Sequence, residues 1–277
     1  MADRYLLLGE GVGNSPSPMM MNAAFDAMGI DAKYGAVSVS PSGLEDAFRE
    51  IRDEGVRGLN ITIPHKASIT RLLDSLDEVS TSVGAANTVN KEGGMYRGYN
   101  TDVEGIVVPL TARRLSPFRR AVALGTGGAA RAFCAAMYQT GSTSLTFLSR
   151  DPSKAQGFLE NMAAAFPAMD LQVVSYGDAR SQRPDIIFNA SPVGSGGRPL
   201  PTEVKPLLGS RPVVFDAIYS PVETELIRSA SARGCPVIHG YEMLLAQAIG
   251  ALKIWTGRPC PAEPMREALL ASLGAAT

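Results

Sequence analysis

The first third of the chain alternates short apolar runs with amphipathic stretches. Apolar runs at 4–8 and 34–38 predict two strands, and Leu44, Phe48 and Ile51 share one face of a predicted helix. Strands that alternate with helices in this way are typical of an α/β domain. The pattern therefore predicts a sheet with helices packed on it.

A further predicted strand, residues 58–63, has one apolar face and one polar face. Its apolar face consists of Leu59, Ile61 and Ile63. Its polar face carries Asn60 and Thr62, and Pro64-His65-Lys66 then leads into a predicted helix. An amide, a hydroxyl and an ammonium are thus expected at the carboxyl end of one strand, the edge where open α/β sheets bind ligands. The pattern alone leaves a second interpretation open, a solvent-facing edge with an ordinary surface lysine.

A glycine-rich turn separates an apolar strand predicted at 122–124 from an alanine-rich helix. The spacing Gly125-x-Gly127-x-x-Ala130 in this context is the fingerprint of a dinucleotide-binding site, although glycine-rich turns also occur elsewhere. Gly125 permits the tight turn, Gly127 lets the backbone approach a pyrophosphate, and the helix N-terminus supplies N–H donors. Residues 1–121 come before this turn, so we expect another domain to precede the dinucleotide-binding one.

The segment Ser149-Arg150-Asp151 follows the next predicted strand, at the position that distinguishes NAD from NADP. An acidic residue there binds the 2′-hydroxyl of NAD, whereas an arginine accommodates the 2′-phosphate of NADP. Asp151 precedes Pro152, so it is explained as the N-cap of the next helix. Arg150, with Lys154 nearby, has no such explanation and suits a phosphate. We therefore expect NADP as cofactor, and the use of NAD as well stays open.

Two further polar segments have both a structural and a functional interpretation. Ser15 and Ser17, on a proline-stiffened segment before a helix, suit a carboxylate, although Ser-Pro pairs also simply form turns and caps. Asp102 lies in a Thr101-x-x-Glu104 capping box, where the helix dipole alone favours an acidic residue. Small polar residues recur at the ends of several predicted strands in this half, which favours one shared site.

Composition and charge narrow the class of protein. The 277 residues are 45% hydrophobic and 19% charged, with 26 basic and 27 acidic side chains. This balance is typical of a globular enzyme and gives no charge argument for nucleic acid or an anionic membrane as partner. We find no apolar stretch that suits a signal peptide or a membrane span, and we expect a cytoplasmic protein. The three cysteines and two histidines lack metal-ligand spacing, so we expect no metal.

Several polar motifs occur in a fixed order along the chain. They are Ser15-x-Ser17-Pro18, Asn60-x-Thr62-x-Pro64-His65-Lys66, Gly84-Ala-x-Asn87-Thr88, Gly98-Tyr-Asn100-Thr101-Asp102-x-x-Gly105 and Gly125-x-Gly127-Gly128-x-x-Arg131. Each motif alone is weak, but their order and spacing together are specific. In these motifs the chain resembles the shikimate dehydrogenase family, from near the N-terminus to the C-terminal helix.

The resemblance implies a two-domain α/β fold. Residues 1–105 are expected to form a substrate-binding and catalytic domain, and residues 106–239 a doubly wound Rossmann-type domain that binds NADP. Residues 240–277 are expected to form C-terminal helices that pack back on the first domain.

The resemblance also implies roles for individual residues. Lys66 and Asp102 form the catalytic pair, and Ser15 and Ser17 hold the substrate carboxylate. The remaining substrate-binding residues, which face ring hydroxyls or lie beside the ring, are Asn60, Thr62, Asn87, Tyr219 and Gln247. The cofactor-binding residues are Gly125, Thr126, Gly127, Gly128, Ala129, Ser149, Arg150, Lys154, Asn189 and Gly240.

The implied activity is the NADP-dependent reduction of 3-dehydroshikimate to shikimate, in the pathway to chorismate and the aromatic amino acids. Lys66 with Asp102 transfers the proton, and the cofactor supplies the hydride. Two alternatives stay open: oxidation of quinate or shikimate with NAD, and a non-catalytic paralogue that binds NADP. Retention of both Lys66 and Asp102 argues against the paralogue. We expect a small-molecule substrate, no nucleic-acid or membrane partner, and a monomer or homodimer.

Overall fold

The protein, seen in a computed structural model, divides into two compact units. The structure describes residues 2–274, without the side chains of 180 and 181. The first unit comprises Met1–Thr101 and Gln247–Thr277, and the second comprises Asp102–Ala246. The sequence analysis put the boundaries after residues 105 and 239 instead. The chain passes from one unit to the other at the start of one helix and in the middle of another. Composition and turn residues give no signal of a boundary at such positions.

The first unit is built on a six-stranded mixed sheet in the order β2-β1-β3-β5-β6-β4. In chain order its strands are β1 (Asp3–Gly9), β2 (Ala32–Ser38), β3 (Gly58–Ile61), β4 (Ser75–Leu76), β5 (Thr88–Glu92) and β6 (Met95–Tyr99). Strand β1 pairs in parallel with β2 and β3, whereas β5 runs antiparallel to β3 and β6. The carboxyl ends of β1 and β3 therefore lie beside the residues that lead into β5.

Helices cover this sheet with the apolar faces that the sequence predicts. The helices that belong to the first unit are α1 (Ser17–Met28), α2 (Leu44–Asp53), α3 (Glu78–Val83), α9 (Ala262–Ser272) and the C-terminal part of α8 (Gly240–Thr256). Leu44, Phe48 and Ile51 of α2 are buried, which confirms the predicted face of that helix. The C-terminal helix α9 packs against α1.

Strand β3 is shorter than the hydrophobic pattern predicts. Leu59 and Ile61 are buried as expected, but the strand ends at Ile61 and Ile63 is 70% exposed, so the prediction for Ile63 was wrong. The reason lies in the backbone, because the N–H of His65 donates to the carbonyl of Thr62 at 2.9 Å and turns the chain at once. The segment after this turn continues as a 3-10 helix over Ser68–Leu72.

The second unit contains a six-stranded sheet in the order β12-β11-β10-β7-β8-β9, with all neighbours parallel. Its strands are β7 (Ala121–Leu124), β8 (Ser144–Ser149), β9 (Asp170–Ser175), β10 (Ile186–Asn189), β11 (Val213–Asp216) and β12 (Val237–Ile238). The strand order reverses beside β7, and this is the switch point of a doubly wound dinucleotide-binding fold. The predicted fold class is therefore confirmed.

Helices flank the parallel sheet within the second unit. They are α4 (Asp102–Ala112), α5 (Gly128–Gln139), α6 (Gln156–Ala165), α7 (Glu225–Ser231) and the N-terminal part of α8. The single helix predicted after Asp151 is in fact a 3-10 turn over Pro152–Ala155 followed by α6. Among the helices of residues 2–274, none combines the length and the hydropathy that a membrane span requires.

Trp255, near the end of α8, lies against the first sheet. Its Nε1 donates to the carbonyl of Val89 at 2.9 Å, and its ring centroid lies 4.7 Å from that of Tyr5. Gly58 of β3 leaves room for the indole, because a Cβ at this position would stand 2.5 Å from Trp255 Nε1. A hydrogen bond and a close aromatic contact thus fix the C-terminal part of α8 to the sheet.

We expect Gly58→Ala to lower the free energy of unfolding by about 1–3 kcal/mol, because the added methyl group overpacks the indole site. Urea titration followed by circular dichroism measures the change. Gly35→Ala is the matched control, since Gly35 lies in β2 of the same sheet and its Cβ would meet Leu6 at an ordinary 3.5 Å. Equal stability of the two variants would contradict the role of Gly58.

Candidate active site

Ser15 and Ser17 lie together at the start of α1. Ser15 Oγ donates to Ser17 Oγ at 3.2 Å and accepts the backbone N–H of Ser17 at 3.3 Å. No side chain caps the N-terminus of α1, which begins at Ser17. Two adjacent hydroxyls beside a helix N-terminus are the donors that a carboxylate requires.

The loop that carries Lys66 is held at the end of β3. The carbonyl of Lys66 accepts the backbone N–H of Ala86 at 2.8 Å, and His65 Nε2 lies 2.8 Å from the carbonyl oxygen of Val39. His65 is 1% exposed, so it anchors the loop from within the core. Lys66 is half-buried, and its backbone lies next to the segment that contains Asn87.

Asn60 and Asn87 belong to one buried network of amides and hydroxyls. Asn60 Nδ2 donates to Thr88 Oγ1 at 3.1 Å and to the carbonyl of Asn87 at 3.3 Å. Asn87 Oδ1 accepts the N–H of Thr101 at 2.7 Å, and its Nδ2 donates to Gln247 Oε1 at 3.4 Å. The first unit thus brings together Asn60, Asn87 and Gln247, as the sequence analysis expects of residues that share one site.

Three members of this network were not identified from the sequence. Tyr34 donates to Asn60 Oδ1 at 2.8 Å, and Thr88 and Thr101 exchange hydroxyl contacts with Asn87. The only signal was indirect: a buried asparagine on an inward-facing strand needs partners for every polar atom. The pattern along the chain does not say which residues supply them.

Asp102 is the first residue of α4 and belongs to the second unit. It is 3% exposed. The hydroxyl of the preceding residue, Thr101, bonds with Asn87 and Thr88 of the network rather than standing free for the predicted capping box. The hydroxyl of Thr101 is therefore engaged by the network, while the dipole of α4 still favours a carboxylate at its first residue.

The glycine-rich turn of the second unit has the geometry that its residues predict. Gly125 has a φ of +94°, which only glycine adopts readily, and a Cβ there would stand 3.1 Å from Ser191. A Cβ at Gly127 would meet nothing within 4 Å, so the space beside this residue is open. Helix α5 begins at Gly128 with no side-chain cap, and its first N–H groups point toward that space. Thr126 and Ala129 flank these glycines in the turn and in the first turn of α5.

The end of β8 separates the roles of Arg150 and Asp151. Asp151 accepts the hydroxyl of Ser153 at 2.5 Å, and Lys154 lies 3.4 Å away, so these contacts hold the pKa of Asp151 below its usual value. Arg150 is exposed and makes no ion pair or hydrogen bond with any residue that the structure describes. Ser149, Arg150, Asp151 and Lys154 line one open hollow. A guanidinium without a protein partner suits a phosphate group.

Asn189 ends β10 and holds the turn that follows it. Its Nδ2 donates to Asp216 and to the carbonyl of Val193, both at 2.9 Å, and its Oδ1 accepts the N–H and the hydroxyl of Ser191. The residue is fully buried. Its side chain is therefore occupied within the protein and fixes the turn over residues 190–194. Burial raises the pKa of Asp216, although Thr224 donates to it.

Gly240 packs against the segment that follows β11 and contains Tyr219. A Cβ at Gly240 would stand 2.4 Å from the carbonyl oxygen of Ile218, so close backbone packing alone explains this glycine. Tyr219 is half-buried, and burial raises its pKa. The carboxyl edge of the parallel sheet as a whole offers free N–H donors, a guanidinium without an ion-pair partner and an open glycine turn, and this donor set fits a phosphorylated dinucleotide.

Two family models match parts of the chain. Residues 7–89 match the model described as "Shikimate dehydrogenase substrate binding domain", and residues 240–270 match "Shikimate 5'-dehydrogenase C-terminal domain". Shikimate dehydrogenase (NADP(+)) of Symbiobacterium thermophilum is 38% identical over 274 residues, which span 96% of this chain and 93% of the relative. The corresponding protein of Methanothermobacter thermautotrophicus is 35% identical, over 95% of this chain and 94% of the relative.

Solved structures agree with these relatives. Shikimate 5-dehydrogenase of Thermus thermophilus in complex with NADP(H) and shikimate has a TM-score of 0.84 and is 30% identical, covering 98% of this chain and 100% of that one. Quinate dehydrogenase of Corynebacterium glutamicum in complex with NAD has a TM-score of 0.88 and is also 30% identical, covering 98% and 99%. The sequence identity over nearly the whole length, together with the matching fold, shows that this chain belongs to the shikimate dehydrogenase family.

Proposed function

We propose that this protein reduces 3-dehydroshikimate to shikimate with NADPH, a step toward chorismate and the aromatic amino acids. One observation carries the proposal. The first unit joins Asn60, Asn87 and Gln247 in a buried polar network beside the loop of Lys66. Such a set of amides beside the loop that carries a lysine suits a small polyhydroxylated ring, and the family to which the chain belongs supports that choice.

The substrate is proposed to bind to the first unit. Ser15 and Ser17 hold its carboxylate, because their paired hydroxyls stand at an uncapped helix N-terminus. Asn60, Thr62, Asn87 and Gln247 take the ring hydroxyls, and Tyr219 lies beside the ring. The proposed substrate-binding domain thus corresponds to residues 1–105 with the returning C-terminal helices.

Lys66 and Asp102 are the proposed proton-transfer pair. The ammonium of Lys66 donates its proton to the oxygen that becomes the new hydroxyl, since negative charge develops on that oxygen as the ketone is reduced. The carboxylate of Asp102 orients the ring by accepting a hydrogen bond from one of its hydroxyls.

NADP(H) is the proposed cofactor, and residues 106–239 are the proposed domain that binds it. The turn from Gly125 to Ala129 receives the pyrophosphate, because the space beside Gly127 is open and α5 lacks a side-chain cap. Arg150, with Ser149 and Lys154, receives the 2′-phosphate. Asn189 and Gly240 shape the backbone on the far side of the site. When bound, the reduced nicotinamide supplies the hydride.

The first test is the absorbance of the reduced nicotinamide with shikimate and quinate, each assayed with NADP and with NAD. Turnover of shikimate with NADP supports the proposal, whereas faster turnover of quinate with NAD would replace it with quinate oxidation, as in the quinate dehydrogenase of Corynebacterium glutamicum. NADP binding without any turnover would point to a non-catalytic paralogue.

We also propose that the protein works in the cytoplasm as a monomer or homodimer. Cys134, Cys235 and Cys260 are free thiols, which is typical of a reducing compartment. Light scattering of the purified protein determines the number of chains.

We expect Lys66→Ala to lower kcat for shikimate oxidation by about 100-fold or more, because the reaction loses its positioned proton carrier. The KM for shikimate should change much less. Lys33→Ala is the control, since Lys33 is an exposed lysine on β2 of the same unit. Near-normal turnover of the Lys66 variant in steady-state assays would remove Lys66 from the mechanism.

Asp102→Asn should raise the KM for shikimate and lower kcat together, because one carboxylate serves both binding and proton transfer. The matched variant is Glu104→Gln, which removes an exposed carboxylate from the same first turn of α4. Kinetic constants for both substrates distinguish the two variants. Wild-type constants for Asp102→Asn would refute the pairing with Lys66.

Arg150→Ala should raise the KM for NADP by about 10-fold or more, the cost of one charge-assisted contact to phosphate. The KM for NAD in the same variant serves as the internal control and should stay within about twofold, because NAD lacks the 2′-phosphate. An equal rise in KM for NADP and for NAD would show that Arg150 supports the fold of the loop instead.

A further inference from the structure

Tyr34 of β2 carries a buried hydroxyl group that has no part in the proposed reaction. It is 4% exposed, and its hydroxyl donates to Asn60 Oδ1 at 2.8 Å. Burial raises the pKa of Tyr34, so the hydroxyl keeps its proton and acts as a donor. Among the residues that the structure describes, no other side chain donates to this oxygen of Asn60.

The surroundings of Asn60 fix which end of its amide carries the oxygen. Its nitrogen faces the carbonyl oxygen of Asn87 at 3.3 Å, and a carbonyl oxygen accepts only. The second N–H of Asn60 donates to Thr88 Oγ1 at 3.1 Å. Both donors of Asn60 are therefore used within the protein, and Oδ1 keeps a single lone pair beyond the bond from Tyr34.

The same direction continues through the rest of the network. Thr88 Oγ1 accepts from Asn60 and donates to Asn87 Oδ1 at 3.1 Å, and Thr101 Oγ1 lies 3.1 Å from the same hydroxyl. Asn87 Oδ1 also accepts the backbone N–H of Thr101, so Asn87 must present its nitrogen to Gln247 Oε1. One chain of donors and acceptors thus runs from Tyr34 to Gln247.

We infer that Tyr34 is a positioning residue that helps to hold the Asn60 amide in the orientation in which it only accepts from the substrate. This inference rests on the proposed function. Since Asn60 has no N–H left for a ligand, the ring position that faces it must carry a hydroxyl, and a ketone there would meet an oxygen lone pair instead of a donor. Asn60 then faces a ring position that does not react and rejects rings oxidised at that position.

Tyr34→Phe tests this role. Without the donor, Asn60 Oδ1 loses its protein partner and the amide is held only by its two N–H bonds, so the KM for shikimate should rise about 3- to 10-fold. The value of kcat should stay within about threefold, and the KM for NADP should not change. An unchanged KM for shikimate, or a fall in kcat alone, would overturn the inference.

Tyr96→Phe is the matched control for lost packing and stability. Tyr96 is 1% exposed in the same unit, and its hydroxyl donates to the carbonyl of Val56 at 2.9 Å, away from the network. Both variants should lower the Tm by a similar few degrees, because each leaves one buried acceptor unpaired. Only Tyr34→Phe should raise the KM for shikimate, and an equal rise in both variants would reduce Tyr34 to a structural residue.

A second measurement separates this inference from the proposed function. In the ligand-free protein, the 15N–1H signals of the Asn60 and Asn87 side-chain amides should shift in Tyr34→Phe and stay in place in Tyr96→Phe. Signals that stay in place in both variants would overturn the inference even if the wild-type enzyme turns over shikimate. A wild-type protein without turnover would instead overturn the proposed function, whatever the amide signals show.

Discussion

The first unit depends on one constraint: polar atoms buried between strands must find partners inside the protein. Asn60, Asn87, Thr88 and Thr101 satisfy one another, and Tyr34 supplies a further donor. This arrangement joins the end of β3, the start of β5 and the residue before α4 into one piece. The loop of Lys66 is held beside it by the backbone hydrogen bond to Ala86 and by the buried His65. The proposed binding groups, Asn60 and Asn87, are thus also structural groups of the first unit.

In the second unit, the features of the candidate cofactor site come from the backbone rather than from side chains. A doubly wound sheet needs a tight exit from its first strand, and Gly125 provides it through a positive φ. The helix that follows leaves its N–H groups uncapped, while the neighbouring turn after β10 is held by Asn189 and Asp216. At this edge of the sheet, the turn after β10 is thus held by side-chain hydrogen bonds, and the start of the neighbouring helix α5 has free N–H donors. This arrangement favours binding of an anionic ligand without rearrangement.

Periodicity and turn chemistry predicted most of the fold from the sequence. The buried face of α2 and the glycine-rich turn after β7 were predicted correctly, because both depend on the spacing of residues that are close in the chain. The exposure of Ile63 did not follow from the alternation of apolar and polar residues, since a backbone turn from Thr62 to His65 ends β3 two residues early. At the candidate site, the sequence analysis named motif residues such as Asn60 but did not name Tyr34. Its partner lies 26 residues away, and alternation along one strand carries no information about which residue of a neighbouring strand completes a bond.

The contact of Trp255 with Gly58 and Val89 has a consequence for how unfolding is observed. The chain contains one tryptophan, and all of its described partners belong to the first unit. Its emission therefore reports the loosening of that unit alone, whereas the far-ultraviolet signal averages the helices of both. A difference between the two melting curves would directly measure how independently the halves of the molecule lose their structure.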